Sequence, residues 1–502
     1  MVGLVSYGAY IPYNRLERKK IGQAFGDRPG KGEKAVANFD EDSVSLAVSA
    51  ALDSLQGFET DSVDALYFAT TSAPYLEKQS SATIASALDL QPEVRASDFG
   101  GSLRAASSAM IAAFDTVKAG ATRVLVAAAD CRLGAPQGQN EQLFGDGGAA
   151  FLIGQGPEVI AEVKSISSRT QEQIGNWRSQ DDRFEKSWED RFVQKVYAET
   201  VAQTVQTILV ASGLQPADFA KLVITGPNPR AALAVANGLG FQPQQIQDEL
   251  VDWVGMAGTA HAPMMLAAAM EQAQPGERIL FVNFGEGCDA ILFEVTDAIR
   301  NLSPRRAISG HLEPKDNHLE YNNYLKWKGI LQTEPARRPE TPRPSVPAMQ
   351  RNYRQNLGFY GSKCLACGTP QFPKQRVCVQ CQAVDQMVEY RFYGKSAKVA
   401  TFTIDHLAAT PAPPSVVAVV DFDGGGRVIC EVTDVDPAEM KIGMELDMTF
   451  RRLYAAGSIH NYFWKAKPKR AVAGGQGANQ AAQNPQSADE SNKTKATEGV
   501  RS

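Results

Sequence analysis

The sequence predicts an α/β core of stacked layers, followed by a cysteine-clustered ribbon and a small β-rich module. Three observations carry that expectation. Apolar runs with strand and helix character alternate through two similar halves up to about residue 298. Four of the seven cysteines fall within Cys364–Cys381. From Tyr390 to Trp464, short β-rich runs are punctuated by glycine and proline.

In the first half, Val44, Ala47, Val48, Ala51, Leu52 and Leu55 recur at helical spacing and mark one buried face. Leu66–Ala69, Val124–Ala129 and Gly147–Ile153 read as strands. Ala105–Val117 is small and apolar nearly all round, as in a helix held between layers. Just before it, a short apolar approach ends at Asp98. Gly100 and Gly101 permit a tight turn, and Ser102 is expected to open a helix to about Ala119. The second half repeats the pattern. Phe192–Ala211 and Pro263–Ala273 are expected helices, and Leu222–Thr225, Ile279–Phe284 and Ala290–Val295 expected strands. The charged stretch 168–191 reads as a surface excursion.

We therefore expect layered halves over 1–160 and 161–300, then a linker with a short helix at Tyr321–Ile330 over 301–350. A ribbon over 351–386 and a β-rich unit over 387–468 follow, with strands at Lys398–Ile404, Val416–Phe422, Val428–Val432 and Leu446–Phe450. Residues 331–348 carry five prolines and read as extended. Residues 469–502 form a polar tail, and from 471 on there is almost nothing to bury, so disorder is expected.

A formal charge of -5 and a pI near 5.7 give no global electrostatic case for nucleic acid or an anionic membrane. No apolar run approaches membrane-spanning length, and no basic stretch leads into a hydrophobic one near Met1. A cytoplasmic location is the expectation. Cys364-Leu365-Ala366-Cys367 and Cys378-Val379-Gln380-Cys381 are two C-x-x-C pairs separated by ten residues. Two such knuckles supply four thiolates to one closed tetrahedral site, which points to structural zinc, with a rubredoxin-like iron as the minor alternative.

Several stretches together resemble the thiolase superfamily and, within it, the hydroxymethylglutaryl-CoA synthase branch, which is similar to 3-oxoacyl-ACP synthase III. They are Gly3–Pro12, Glu41–Ala47, Phe144-Gly145-Asp146-Gly147-Gly148-Ala149-Ala150, Pro275–Leu280 and Phe284-Gly285-Glu286-Gly287. The resemblance covers roughly residues 1–298 and implies a duplicated five-layer α-β-α-β-α sandwich, a coenzyme A thioester as substrate and a homodimer. Residues 351–468 resemble the zinc-ribbon/OB-fold proteins that accompany such enzymes, which implies an OB-fold and a possible further acyl-CoA-pathway enzyme as partner.

The resemblance also implies departures. The family's nucleophilic cysteine falls at Asp98, its glutamate near Thr71, its histidine near Thr225 and its asparagine at Met256. No cysteine precedes Cys131. Candidate catalytic residues are therefore Asp98 as a base or a helix cap, His261 as a proton donor at the rim of the site, Cys131 as a replacement nucleophile, and Thr225. Gly100, Gly101, Gly285 and Asn228 are candidate thioester-binding positions, with Glu286 and Cys288 in support. Three readings follow. One is aldol or retro-aldol chemistry on a β-hydroxyacyl-CoA without an acyl-cysteine. The others are a conventional synthase or acyltransferase, and a non-catalytic acyl-CoA-binding scaffold.

Overall fold

The computed structural model describes residues 1–334 and 343–470. Residues 335–342 of the expected proline-rich linker, and the tail from 471 on, lie outside the described residues.

The core strands are β1 (Val2–Tyr10), β2 (Ala65–Ala69), β3 (Arg95–Phe99), β4 (Arg123–Asp130), β5 (Gly147–Gln155), β6 (Ala161–Thr170), β7 (Lys221–Ile224), β8 (Arg278–Gly285) and β9 (Gly287–Val295). Hydrogen bonding orders them β7-β8-β9-β6-β1-β5-β4-β2-β3. They form two leaves whose junction is slight: β1 meets β6 only at Gly3↔Glu162 and Leu4↔Ala161. β2 runs parallel to β3 and β4, and β7 parallel to β8. The remaining pairs are antiparallel.

The helices complete the layers. α1 (Ser43–Ser54) and α2 (Ser80–Leu88) cover one leaf, while α4 (Asp190–Ser212) and α5 (Pro229–Gly238) cover the other. α3 (Ala105–Lys118) and α6 (His261–Gln272) lie between the leaves, packed against strands of β1–β5 and, for α6, β7 and β8 as well. Their all-round small and apolar composition follows from that position: Ala106, Ala109, Met110, Ala113 and Phe114, like Met264, Met265 and Leu266, are fully buried in one shared core. α1 begins with a capping box, Asp42 accepting from the Ser45 amide and Ser45 from the Asp42 amide. This is the five-layer sandwich.

Three local expectations are corrected. The helix after the glycine turn starts at Ala105, not Ser102, because Gly101 to Arg104 make a turn first. Residues 168–170, expected to open the surface excursion, are the end of strand β6 and pair with β9. The end of the expected extended stretch and the first residues of the expected ribbon form one helix, Val346–Leu357 (α7), where Pro347 sits in the first turn and its missing N–H costs nothing.

Beyond α7, strands Tyr360–Cys364, Pro370–Gln371 and Met387–Arg391 form the ribbon. Strands β10 (Ala397–Asp405), β11 (Ser415–Phe422), β12 (Arg427–Val432), β13 (Glu445–Ala456) and β14 (Ile459–Pro468) close into a barrel in the order β10-β11-β12-β14-β13. Alternate residues Val416, Ala418, Val420 and Phe422 point into it. The barrel is fastened to the layered core through a charged cluster. Arg451 on β13, 1% exposed, pairs with Asp40 at 3.1 Å, Glu41 at 2.7 Å and Asp434 at 2.5 Å, and donates to the Tyr10 hydroxyl. Among the described residues, no helix is long and apolar enough to cross a membrane.

Candidate active site and zinc centre

The strands β2, β3, β7 and β8 end in one region, where the carboxyl ends of parallel strands leave room for a ligand. A cavity of about 280 Å³ opens there, bounded by Thr71 and Ser72 after β2, Gly101–Leu103 before α3, Cys131–Leu133 after β4, Gly226 and Pro227 after β7, and Gly285 and Glu286 after β8. The segment 173–185 supplies the outer wall, with Trp177, Arg178, Arg183 and Glu185.

Two buried polar networks hold its floor. Asp130, fully buried at the end of β4, accepts from the Thr71 and Thr259 amides at 2.7 and 2.8 Å. It also accepts from the hydroxyls of Thr70, Thr71 and Ser72 at 2.9, 2.9 and 2.8 Å. Gly258 lies so close that a Cβ there would sit 2.1 Å from Asp130 Oδ2, and its φ is +59°. On the other side, Asn283 accepts from Thr225 Oγ1 at 3.1 Å and donates to Ser107 Oγ at 3.1 Å. Ser107 donates to Asp289 at 2.6 Å, and Arg104 lies 3.6 Å from the same carboxylate. These bonds fix the turn that presents Ser102, whose hydroxyl donates to Glu286 and accepts from the Arg104 amide.

The cavity thus gathers Cys131, Gly101, Gly285 and Glu286 of the residues expected from the sequence, and Thr71. Asp98 is corrected. Its carboxylate accepts from the Ser80 and Ser81 amides at 2.6 and 2.9 Å, so it caps α2, and it does not line the cavity. His261 does begin α6, but it is buried and its Nδ1 accepts from the Ala257 amide at 3.4 Å. Burial, aided by the Arg132 charge, brings it down to about 4, so it is a neutral core histidine rather than a rim donor. Asn228 caps α5 by accepting from the Ala231 amide, and neither it nor Gly100 lines the cavity. Thr225 lies one residue short of the wall, in the Asn283 network. Cys288 is buried beneath α4, and burial pushes its thiol up to about 12. Burial likewise holds the Cys131 thiol well above its ordinary value.

Sequence reasoning missed Asp130, Ser102, Arg132 and Arg178. Asp130 follows the apolar run Val124–Ala129, and a carboxylate closing a buried strand was the available signal. Arg132 forms an ion pair with Glu185 and lies 4.2 Å over the Phe144 ring. Arg178 donates to the Thr71 carbonyl at 2.8 Å and ties the outer wall to the floor.

In the ribbon, the four Sγ atoms of Cys364, Cys367, Cys378 and Cys381 lie within 4.8 Å of one another, with Cys364–Cys381 at 3.6 Å and Cys367–Cys378 at 3.5 Å. Thiolates around one tetrahedral zinc stand about 3.8 Å apart, so the residues fit that metal.

Three family models match: the 3-oxoacyl-[acyl-carrier-protein] synthase III C terminal over residues 209–294, the ChsH2 rubredoxin-like zinc ribbon over 354–388, and the ChsH2 C-terminal OB-fold over 390–451. Among solved structures, a hydroxymethylglutaryl-CoA synthase complexed with CoA shares the fold with TM-score 0.58 at 19% identity, covering 65% of this chain and 89% of that one. Xanthomonas campestris OleA with lauric acid and lauroyl-CoA shares it with TM-score 0.53 at 17% identity, over 59% of this chain and 98% of that one. The layered sandwich is therefore a thiolase-like fold, carrying a zinc ribbon and an OB-fold. The hydroxymethylglutaryl-CoA synthase of Pyrococcus horikoshii is 33% identical over 316 residues, 61% of this chain and 90% of its own length. That of Methanopyrus kandleri is 29% identical over 343 residues, 66% and 98% respectively. The chain belongs to the hydroxymethylglutaryl-CoA synthase family.

Proposed function

We propose that the chain makes or breaks a carbon–carbon bond of an acyl-CoA thioester without an acyl-cysteine intermediate, by aldol or retro-aldol chemistry on a β-hydroxyacyl-CoA. One observation carries this reading. Cys131 is the cavity's thiol among the described residues, and no base there hydrogen-bonds the Sγ of this half-buried side chain to draw off the proton, while its surroundings push it above its ordinary value; nucleophilic attack needs the thiolate. The other polar groups are hydroxyls, carboxylates and guanidinium groups, suited to proton transfer and to charge stabilisation. The amides of Gly101, Ser102 and Leu103, ahead of α3, are suited to an enolate oxygen. The cavity takes an acyl group and thioester rather than a whole nucleotide, and Arg178 and Arg183 at its wall suit the phosphates of the carrier.

The relatives' names favour a second reading, a conventional synthase acylated on Cys131. Incubation with 3-hydroxy-3-methylglutaryl-CoA and with short- and long-chain 3-hydroxyacyl-CoA, followed by mass spectrometry, separates them. A free carbonyl fragment with a shortened acyl-CoA supports the first reading. An acylated Cys131 peptide overturns it, and binding without turnover marks a scaffold. Among the described residues, the edge strand β3 pairs with another strand on one side only, which supports pairing with a second copy in a homodimer. A monomer in sedimentation would refute that.

A further inference from the structure

Resting on the aldol reading, we infer that Glu286 is the proton carrier of the reaction and that Ser102 is its positioning residue. The assignment follows from what each polar group on the cavity wall is already bonded to. The Thr71 and Ser72 hydroxyls are committed to Asp130. Glu185 is held by the buried Arg132 guanidinium. Glu286 alone among the lining carboxylates has no cation partner within the described residues. Its Oε2 accepts from Ser102, while Oε1 has no partner there.

Its placement is rigid. Glu286 is the tip of the tight connection between β8 and β9, where Gly285 pairs with Gly287. A Cβ on Gly285 would meet Ser102 Oγ at 2.7 Å and the Arg104 nitrogen at 2.9 Å, so only glycine lets this tip press against the α3 turn. The Gln173 side-chain Nε2 donates to the Gly285 carbonyl at 2.7 Å, and the Gln171 N–H reaches the Glu286 carbonyl. The Arg104 amide donates to Ser102 Oγ, which leaves the serine proton for Glu286 and sets the carboxylate's orientation.

In the cleavage direction, the Glu286 carboxylate takes the proton of the substrate β-hydroxyl. The O–H electron pair becomes the second bond of a carbonyl, the Cα–Cβ bond breaks, and its pair passes to Cα as the thioester enolate. The carbonyl fragment leaves, and protonated Glu286 returns the same proton to Cα. Atoms and charge balance with no other reactant, and condensation is the reverse sequence. Ser102 remains a hydrogen-bond donor throughout and forms no ester.

The test compares the full chain with Glu286→Gln, Glu286→Ala and Ser102→Ala, using the same 3-hydroxyacyl-CoA set and mass spectrometry. Gln keeps an acceptor for Ser102 but removes the base, so kcat should fall by about two to four powers of ten while KM changes little. Formate should restore part of the kcat of Glu286→Ala, a rescue that a purely structural role would not give. Ser102→Ala should lower kcat by roughly tenfold, the scale of one lost hydrogen bond, with no acyl adduct on the wild-type serine. Wild-type turnover matched by Glu286→Gln, or an acylated Ser102, overturns this assignment alone. If the wild-type chain releases no carbonyl fragment from any thioester of the set, the aldol reading and this assignment fall together.

Discussion

Replacing Asp130 with Ala should unfasten the floor of the active site. The carboxylate is fully buried and satisfies five donors, three hydroxyls and the amides of Thr71 and Thr259. The hydroxyls can turn toward each other, since Thr70 Oγ1 and Ser72 Oγ already lie 3.5 Å apart. The two amides are fixed by the backbone and cannot turn. Leaving a buried donor unsatisfied costs about 1–3 kcal/mol, so two give about 2–6 kcal/mol, with about 4 kcal/mol as the expectation. Asp130→Asn keeps one acceptor oxygen but aims an NH2 at the remaining donors, so about half that loss is expected. At roughly 2 °C per kcal/mol, the lower figure for a large domain, the Ala variant should unfold about 8 °C earlier. Thermal unfolding followed by tryptophan fluorescence measures this, with limited proteolysis near Thr70–Ser72 as a local readout. An Ala variant as stable as the wild type, or an Asn variant less stable than the Ala one, would refute the reasoning.

Asp98→Asn should leave turnover at the wild-type level but cost about 1–3 kcal/mol of stability, because the two carboxylate oxygens each accept one backbone amide and Asn keeps only one acceptor; kinetics showing a large loss would reinstate a catalytic Asp98. Cys364→Ser should release one zinc per chain and loosen the ribbon, since binding energy at such a site is also folding energy; elemental analysis and hydrogen exchange over 355–385 read it. The joint between barrel and core should weaken as pH rises. Burial outweighs the attraction of Arg451 and holds Glu41 up to about 7, above its ordinary 4.5. Its contribution is therefore complete below about 4.5 and lost as pH rises through about 7. Asp434 and Asp42 are shifted the opposite way, and their contributions are lost only as pH falls through their depressed values below 3.8. Unfolding midpoints at pH 5.5 and 8 should favour the lower pH less in Glu41→Gln than in wild type, by the part of the pH dependence that Glu41 supplies.

Much of the architecture was legible because it rests on local periodicity. The buried face from Val44 to Leu55 and the small-residue helix after Arg104 follow from the spacing and size of side chains. The zinc centre was legible for a stronger reason: four thiolates in two knuckles can do little else, and the cysteines now stand within 4.8 Å. The misses share one cause. Asp98 precedes a glycine turn in sequence, but strand β3 runs beside β2 and delivers its carboxylate to the start of α2 instead. His261 opens a helix, as expected, yet that helix is sandwiched between the two leaves, so the imidazole meets core rather than cavity.

By itself, then, the sequence determined the layers and the ribbon, because each depends on residue type and short-range spacing. Only the tertiary structure decided which side chains share the cavity. Ser102 meets Glu286 across 184 positions of chain, and Asp130 meets Thr259 across 129. Arg451 finds Asp40 across 411. Such pairings are set by which strand lies beside which, and no local pattern encodes strand order.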